Sequence, residues 1–242
     1  MLCDASTGGK AGNWEGGVRV NGFVSGGYLP TKMRGTKLSG LTTAWDWYAT
    51  VVAGIAGLDP TDHEAKAAGL PPLDSFDLWP YLSGATTTSP RTQVPMGTTA
   101  NPEDIWLQHN DIVVHGLIEA DPSQDGNNVW KLLLGAVSQN IWTGPEFPNS
   151  TTATLPPAEK IFGHCGFAPG CLFELTSDPG EHVNVAAQHP DVVARLRAAI
   201  EAANKTVWAP LRPKSAKACE VSLHKYHDPS HDFGWWGPFA DG

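Results

Sequence analysis

Near its start, the 242-residue chain carries a lysine, Lys10, inside a glycine-rich stretch. Gly8, Gly9 and Gly12 flank it, so the backbone there can approach a ligand closely without interference from side chains. Because the lysine ammonium is a compact positive charge, Lys10 is a candidate for binding an anion. The stretch does not fit a phosphate-binding P-loop, since Ala11 stands where that motif requires Ser or Thr.

The residues after this loop combine a large aromatic side chain, an acid, two glycines and a base in Trp14-Glu15-Gly16-Gly17-Val18-Arg19. We expect Glu15 and Arg19 to be structural, as a carboxylate that braces the loop and its cationic partner. Residues 18–24 alternate loosely between apolar and polar types, which predicts a strand that follows the loop.

The cysteines and glycosylation motifs provide information on the cellular compartment of the protein. Cys165 and Cys171 are close enough in sequence to form a disulfide that closes a small loop, so its stabilising effect would be modest. Sequons begin at Asn149 and Asn204, which are therefore candidates for glycosylation. Both features permit a secretory compartment, yet residues 1–7 show no signal-peptide pattern. This combination first suggests that the front of the protein is missing from the chain.

The C-terminal tail contains residue types that bind zinc: His224, His227, Asp228, His231 and Asp232. They lie in an irregular segment that also contains Pro229. A solvated polar tail is the favoured interpretation, and a metal site is the alternative.

The composition excludes several classes of protein. The formal net charge of −9 argues against a surface for nucleic acid or anionic membrane. A hydrophobic content of 41% is enough for a substantial core. No apolar run approaches the length of a membrane span.

Apolar spacing predicts the main elements. Asp46 precedes Trp47, Val51 and Ile55 at fourfold spacing, which predicts a short amphipathic helix that ends at Gly57. A shorter helix is predicted at 77–82, with loops at 58–75 and a long surface excursion at 83–104.

The second part of the chain has a different pattern. Strands are predicted at 111–118, 129–134 and 171–175, followed by a helix that opens at Pro190. The apolar stripe of this helix consists of Val193, Leu196, Ile200 and Ala203. These elements predict an antiparallel sheet packed with one long helix, and a division into domains of residues 1–104 and 105–242.

Two groups of motifs resemble the sulfatase family. Gly9-Lys10, Trp14–Arg19 and the Asp46-Trp47 helix are similar to the second half of a sulfatase catalytic domain. Leu172–Glu181, followed by Asn184-Val185, is similar to the C-terminal sulfatase signature. The terminal helix and the Gly234–Pro238 ending are similar to the arylsulfatase B type.

The resemblance implies an alkaline-phosphatase-like α/β fold, present here in part, and hydrolysis of sulfate esters of aryl or sugar substrates. In such enzymes a cysteine in a Cys-x-Pro/Ser-x-Arg motif becomes the formylglycine nucleophile, and a calcium ion held by aspartates neutralises the sulfate. Lys10 would occupy the position of a lysine that contacts the sulfate. The family also suggests a lysosomal or secreted location.

The chain departs from the family pattern at the nucleophile and the metal. None of Cys3, Cys165, Cys171 and Cys219 begins the formylglycine motif, and no Asp-Asp pair occurs. We therefore expect the C-terminal half of an arylsulfatase, inactive alone, binding no calcium by itself and lacking an N-terminal half. In the family a late cysteine pairs with that half, which would leave Cys219 unpaired or paired with Cys3. The alternatives are a non-catalytic accessory module that pairs with a complete sulfatase subunit, and an artefact of gene prediction.

Overall fold

The computed structural model describes residues 12–97, 114–121, 127–138 and 162–207. The chain divides into two compact units, residues 1–206 and 207–242, and the elements described here belong to the first. The domain boundary predicted at residue 104 lies outside the described residues and stays a prediction.

Two antiparallel sheets contain the strands described here. The main sheet has the order β1-β2-β3-β6, and a smaller ladder pairs β4 with β5. The strands are β1 Gln93–Gly97, β2 Val114–Ala120, β3 Val129–Leu133, β4 Ala136–Ser138, β5 Phe162–His164 and β6 Cys171–Glu174. The prediction of an antiparallel sheet is confirmed. The three strands predicted for it correspond to β2, β3 and β6.

Strand β1 corrects the prediction of a surface excursion at 83–104. It pairs antiparallel with β2, with Gln93 opposite Glu119 and Pro95 opposite Leu117. Proline is tolerated in an edge strand because it removes only one backbone donor there. A segment rich in Pro, Gly and Thr thus becomes a strand by pairing with an apolar neighbour, and its own pattern does not reveal this.

One face of the main sheet is covered by the predicted long helix, α5, which spans Pro190–Asn204. Proline in its first turn and Asp191 beside it favour a helix start there. Leu196 and Ile200 are buried together with Leu117 and Leu132, which are opposite each other in the β2–β3 register. The predicted apolar stripe of α5 is confirmed at three positions, since Val193 is also buried and Ala203 is partly exposed.

The other face of the sheet is covered by the N-terminal segment. Trp14 is buried among the side chains of a core cluster that includes Ile118, Leu133 and Phe173. Strand register places Ile118, Lys131 and Phe173 in one row across three strands, on the face opposite Leu132. The main sheet therefore lies between helix α5 and the segment that follows Lys10.

The strand predicted at residues 18–24 is wrong. The structure has a short helix, α1 Glu15–Val18, because the Trp14 carbonyl accepts hydrogen bonds from the backbone of Gly17 and Val18. The residues after it pair with no strand in the described part of the chain, and Phe23 is 88% exposed. Alternation alone predicts a strand, but a strand also requires a neighbouring sheet edge.

The helix predicted from Asp46 is confirmed, but it buries a different face from the one that the apolar spacing predicts. Helix α2 spans Asp46–Ala49 and continues as a π-helical segment, Thr50–Ile55. Asp46 and Thr50 are fully buried, whereas Trp47, Tyr48, Val51 and Ile55 are each at least 40% exposed. The remaining described helices are a 3₁₀ turn at Thr31–Met33, α3 at His63–Ala67, which lies in a predicted loop, and α4 at Trp79–Leu82.

A buried ion pair explains the reversed face of α2. Arg91 Nε donates to Asp46 Oδ2 at 2.7 Å, and a second guanidinium nitrogen lies 2.5 Å from Oδ1. Burial alone would raise the pKa of Asp46, but hydrogen bonds from Arg91, Phe76 and Thr43 outweigh it and lower that pKa below its ordinary value. The polar side of α2 faces inward because this network satisfies its carboxylate.

Candidate functional site

Several predicted site residues lie outside the described part of the structure. Lys10, Asn149, Cys3, Cys219 and the histidine-containing tail all belong to this group. The structure describes the residues that follow this candidate anion loop, from Gly12 to Arg19.

These following residues are held firmly on the main sheet. Asn13 Nδ2 donates to the carbonyl oxygen of Gly97 at 2.6 Å. The indole of Trp14 meets the ring of Phe173 edge-on, with centroids 5.7 Å apart. Both contacts connect the loop to strands that lie far from it in sequence, β1 and β6.

Next to Trp14, three charged side chains form a buried charge cluster: Glu15, Lys131 and Glu181. Lys131 Nζ lies 3.0 Å from Glu15 Oε1 and 2.8 Å from Glu181 Oε1. The backbone N–H of Glu15 donates to Glu181 Oε2 at 2.6 Å. Lys131 is fully buried and the two glutamates nearly so, which is rare for these residue types unless they are paired.

The buried charge cluster contains one more negative than positive charge. Arg19 reduces this excess from the surface, since its guanidinium lies 3.5 Å from Glu15 Oε2 and its side chain is 56% exposed. This pair agrees with the predicted structural role of both residues. Glu181 Oε1 has Lys131 as an ion-pair partner but no aligned hydrogen-bond donor among the described residues. Burial raises the pKa of Glu181 above its ordinary value, against the opposing effect of the Lys131 charge.

The turn before Glu181 is held by hydrogen bonds from backbone N–H groups to a side-chain carboxylate. Asp178 accepts hydrogen bonds from the N–H groups of His182 and Val183 at 3.1 Å and 2.8 Å. Glu181 itself has a positive φ of 57°, an uncommon conformation for a residue other than glycine. Contacts from Lys131 and Glu15 hold it there, so the turn and the charge cluster depend on each other.

The same turn is followed by a second side-chain anchor at Asn184. Its Oδ1 accepts from the N–H of Leu172 in β6 and from that of Ala186, both at 3.0 Å. The polar residues of the signature between residues 172 and 185 thus serve to hold the turn against β6. In the described structure their role is structural.

The buried charge cluster joins the two motifs on which the resemblance rests. Glu15 belongs to the Trp14-Glu15-Gly16-Gly17 motif, and Glu181 ends the Asp178-Pro179-Gly180-Glu181 turn. The residue that links them, Lys131, was not predicted as a site residue. Its signal in the sequence is a lysine inside the otherwise apolar run of β3, where an unpaired charge would be costly.

The predicted disulfide cysteines and one of the two glycosylation candidates, Asn204, lie in the described part of the structure. Cys165 and Cys171 form a disulfide with a Cα–Cα distance of 4.9 Å, just before and at the start of β6. Asn204 lies at the end of α5, where Oδ1 accepts from Val114 N–H at 2.9 Å and Nδ2 donates to Val114 O at 3.1 Å. A glycan on Asn204 would compete with these two hydrogen bonds between the end of α5 and the start of β2.

In the described ranges, no three His, Cys, Asp or Glu side chains come together in a way that could hold an ion. Calcium therefore has no assigned ligands in this part of the chain. No helix within the same ranges is long and apolar enough to cross a membrane.

Comparison with known proteins finds a relative that matches almost the whole chain. The chain is 28% identical over 239 residues to Arylsulfatase J of Mus musculus, a match that covers 96% of this chain and 36% of the length of that protein. This match confirms the resemblance to sulfatases. No family model matches the chain.

A solved structure gives a more distant likeness. It is a protein of glycosaminoglycan metabolism from Bacteroides thetaiotaomicron, with 20% identity and a TM-score of 0.36. The overlap covers 66% of this chain and 24% of that one.

Proposed function

We propose that this chain, a relative of the arylsulfatases, supplies the C-terminal part of a catalytic unit that hydrolyses sulfate esters of aryl or sugar substrates. The observation that carries the proposal is the match to Arylsulfatase J along 96% of the chain. It is supported by the contact between Glu15 and Glu181, which brings together the two motifs of the resemblance.

In this proposal Lys10 contacts the sulfate group. A lysine ammonium can stabilise the negative charge that develops on the ester oxygens as the S–O bond breaks. Glu15 of the buried charge cluster lies only five residues after Lys10, so the cluster would fix the direction in which the loop leaves the sheet. Precise placement of such a charge is a large part of its catalytic value.

The nucleophile and the calcium site are proposed to come from a second segment. No cysteine of this chain begins a formylglycine motif, and the described residues hold no metal cluster. When bound, calcium would neutralise the sulfate charge in the complete enzyme. The chain alone is therefore proposed to be inactive.

The activity of the chain alone can be tested with a chromogenic aryl sulfate in the presence of calcium. We expect no turnover above the uncatalysed background. Turnover that is well above background and is abolished by Lys10→Ala would overturn the proposal that a second segment is needed.

The role of the chain can be tested in a hybrid with the part of mouse Arylsulfatase J that lies outside the matched region. We expect the co-expressed hybrid to hydrolyse the aryl sulfate, and Lys10→Ala to abolish this activity. Lys37→Ala, a change at an exposed lysine, is the matched control and should leave the rate unchanged. A folded, associated hybrid without activity would contradict the proposal, as would full activity of the Lys10 variant.

A second candidate function is a non-catalytic module that pairs with a complete sulfatase subunit. The exposed apolar side of α2 favours it, because Trp47, Val51 and Ile55 present large side chains to solvent. Val51→Asp should abolish a complex between this chain and purified arylsulfatase in sedimentation velocity, whereas Glu64→Lys, at an exposed position of α3, should not. Absence of any complex with the native chain would exclude this candidate.

A further inference from the structure

An open cleft lies on the helix-covered face of the main sheet, where β2 ends and β3 begins. Its volume is about 420 Å³, which falls within the usual range for small-molecule sites. The side chains that give it chemical character are Glu119, Asp121, Asn128, Trp130 and Arg195. None of them belongs to the buried charge cluster, which lies on the opposite face of the sheet.

Trp130 provides the aromatic wall of this cleft. Its indole Nε1–H donates to Asn128 Oδ1 at 2.9 Å. The ring also lies against His189, with centroids 4.9 Å apart. These two contacts fix the orientation of the ring, while the side chain stays partly exposed to the cleft. A fixed aromatic surface binds a flat apolar face with little loss of conformational entropy.

Beside Trp130, the polar part of the cleft is an ordered ion pair. Arg195 Nε donates to Glu119 Oε1 at 2.8 Å, and Gln93 Nε2 donates to Glu119 Oε2 at 2.8 Å. Both carboxylate oxygens of Glu119 therefore already accept hydrogen bonds. The Arg195 side chain is 51% exposed, and a guanidinium has more N–H donors than this pair uses. The cleft thus offers donors that are held in position before any ligand arrives.

The charge of the cleft limits the class of ligand. Glu119 and Asp121 together carry two negative charges against the single positive charge of Arg195, so the formal charge is −1. This excess disfavours sulfate, phosphate and other anions. Apart from Trp130, the chemically distinctive side chains are polar, which disfavours a fully apolar ligand. A ligand that fits has one apolar face and several neutral hydroxyl groups.

We propose that this cleft binds a neutral pyranose ring, the unit of an uncharged saccharide. The apolar face of the sugar packs on the Trp130 indole. Its hydroxyl groups accept hydrogen bonds from Arg195 and donate to the Asp121 carboxylate or the Asn128 side chain. The site requires no sulfate chemistry, so it stands independently of the proposed function.

The test is saturation-transfer difference NMR on the purified full-length chain with methyl β-D-glucopyranoside, methyl β-D-galactopyranoside and methyl N-acetyl-β-D-glucosaminide. We expect at least one of them to bind with a Kd in the millimolar range. Trp130→Ala should weaken that binding at least tenfold. Trp47→Ala removes an exposed tryptophan far from the cleft along the chain and should leave the binding unchanged. If Trp130→Ala does not fold, Trp130→Leu retains apolar bulk without the aromatic face and replaces it.

Asp121→Asn distinguishes a neutral sugar from a cation. Asparagine keeps one acceptor oxygen for a sugar hydroxyl, so sugar binding should change by less than about threefold, while binding of an organic cation would be lost. Tetramethylammonium, whose methyl protons this experiment observes, serves as the charged probe. The proposal is overturned if none of the three glycosides binds, if Trp130→Ala and Trp130→Leu leave their binding unchanged, or if only tetramethylammonium binds and Asp121→Asn removes it.

Discussion

Lys131 is the residue on which the N-terminal loop depends. Its ammonium is the positive charge shared by two buried carboxylates, and its stem lies in the same row as Ile118 and Phe173. Removing one partner of a buried ion pair leaves an uncompensated charge, which costs far more than the pair contributes. Lys131 therefore contributes more to the stability of the fold than a solvent-exposed lysine does.

We expect Lys131→Met to lower the free energy of unfolding by about 3–5 kcal/mol, because two carboxylates then remain buried with only the half-exposed Arg19 near one of them. Urea denaturation followed by tryptophan fluorescence measures this change. Lys66→Met, at an exposed position in α3, is the matched control and should change stability by less than about 0.5 kcal/mol. Equal stability of the two variants would show that the buried charge cluster contributes nothing.

Glu181 makes the same cluster sensitive to pH. Its pKa is raised above the ordinary value of 4.5 by burial, so the folded chain holds this proton more tightly than the unfolded chain does. Its contribution to stability is fully present below pH 4.5 and is lost as the pH rises through the folded-state pKa. Mild acid should therefore favour the folded form at this position.

The measurement is the free energy of unfolding at pH 7 and pH 5 for the native chain and for Glu181→Gln. The native chain should gain stability relative to the variant as the pH falls, and other titrating groups cancel in this difference. Glu201→Gln, at an exposed position of α5, should show no such change. A difference that shrinks as the pH falls would contradict the raised pKa.

At the scale of elements, the π-helical extension of α2 is fitted closely against the start of α4. A Cβ added at Gly54 would collide with Asp77 Oδ1 and Trp79 Cβ. Asp77 Oδ1 also accepts the Trp79 N–H at 2.8 Å, so this oxygen cannot move away without losing a hydrogen bond. Glycine at position 54 is thus required by packing.

Gly54→Ala is expected to destabilise the chain by about 1–3 kcal/mol, because overpacking outweighs the gain in helix propensity of about 1 kcal/mol. Gly22→Ala is the matched control, since nothing lies within 4 Å of an added Cβ there. Thermal unfolding by circular dichroism compares the two variants. A melting temperature for Gly54→Ala at or above that of Gly22→Ala would show that the two elements separate readily.

The elements that the sequence predicts correctly are those whose own pattern decides their structure. Helix α5 and strands β2, β3 and β6 bury continuous apolar faces, so periodicity finds them. Strand β1 and the buried side of α2 depend on partners instead: β1 on the edge of β2, and Asp46 on Arg91. A pattern-based prediction cannot identify such partners.

At the scale of the whole chain, the resemblance identifies motifs but not their contacts. It predicts that Trp14-Glu15 and the turn ending at Glu181 matter, and it assigns Lys10 a role. The sequence does not show that the two motifs touch through Lys131, because the three residues lie in distant segments. A buried lysine in an apolar strand is the one signal that indicates a hidden partner.

The hydrogen bond from Glu15 to Glu181 joins residues that are 166 positions apart. Closing so long a loop costs much entropy before any contact compensates for it, whereas the β2–β3 pairing closes a short one. We therefore expect the loop after Lys10 to dock late in folding and to open before the sheet does. In native-state hydrogen exchange the Glu15 amide should exchange through a smaller opening free energy than the Leu132 amide; equal protection would mean that the two open together.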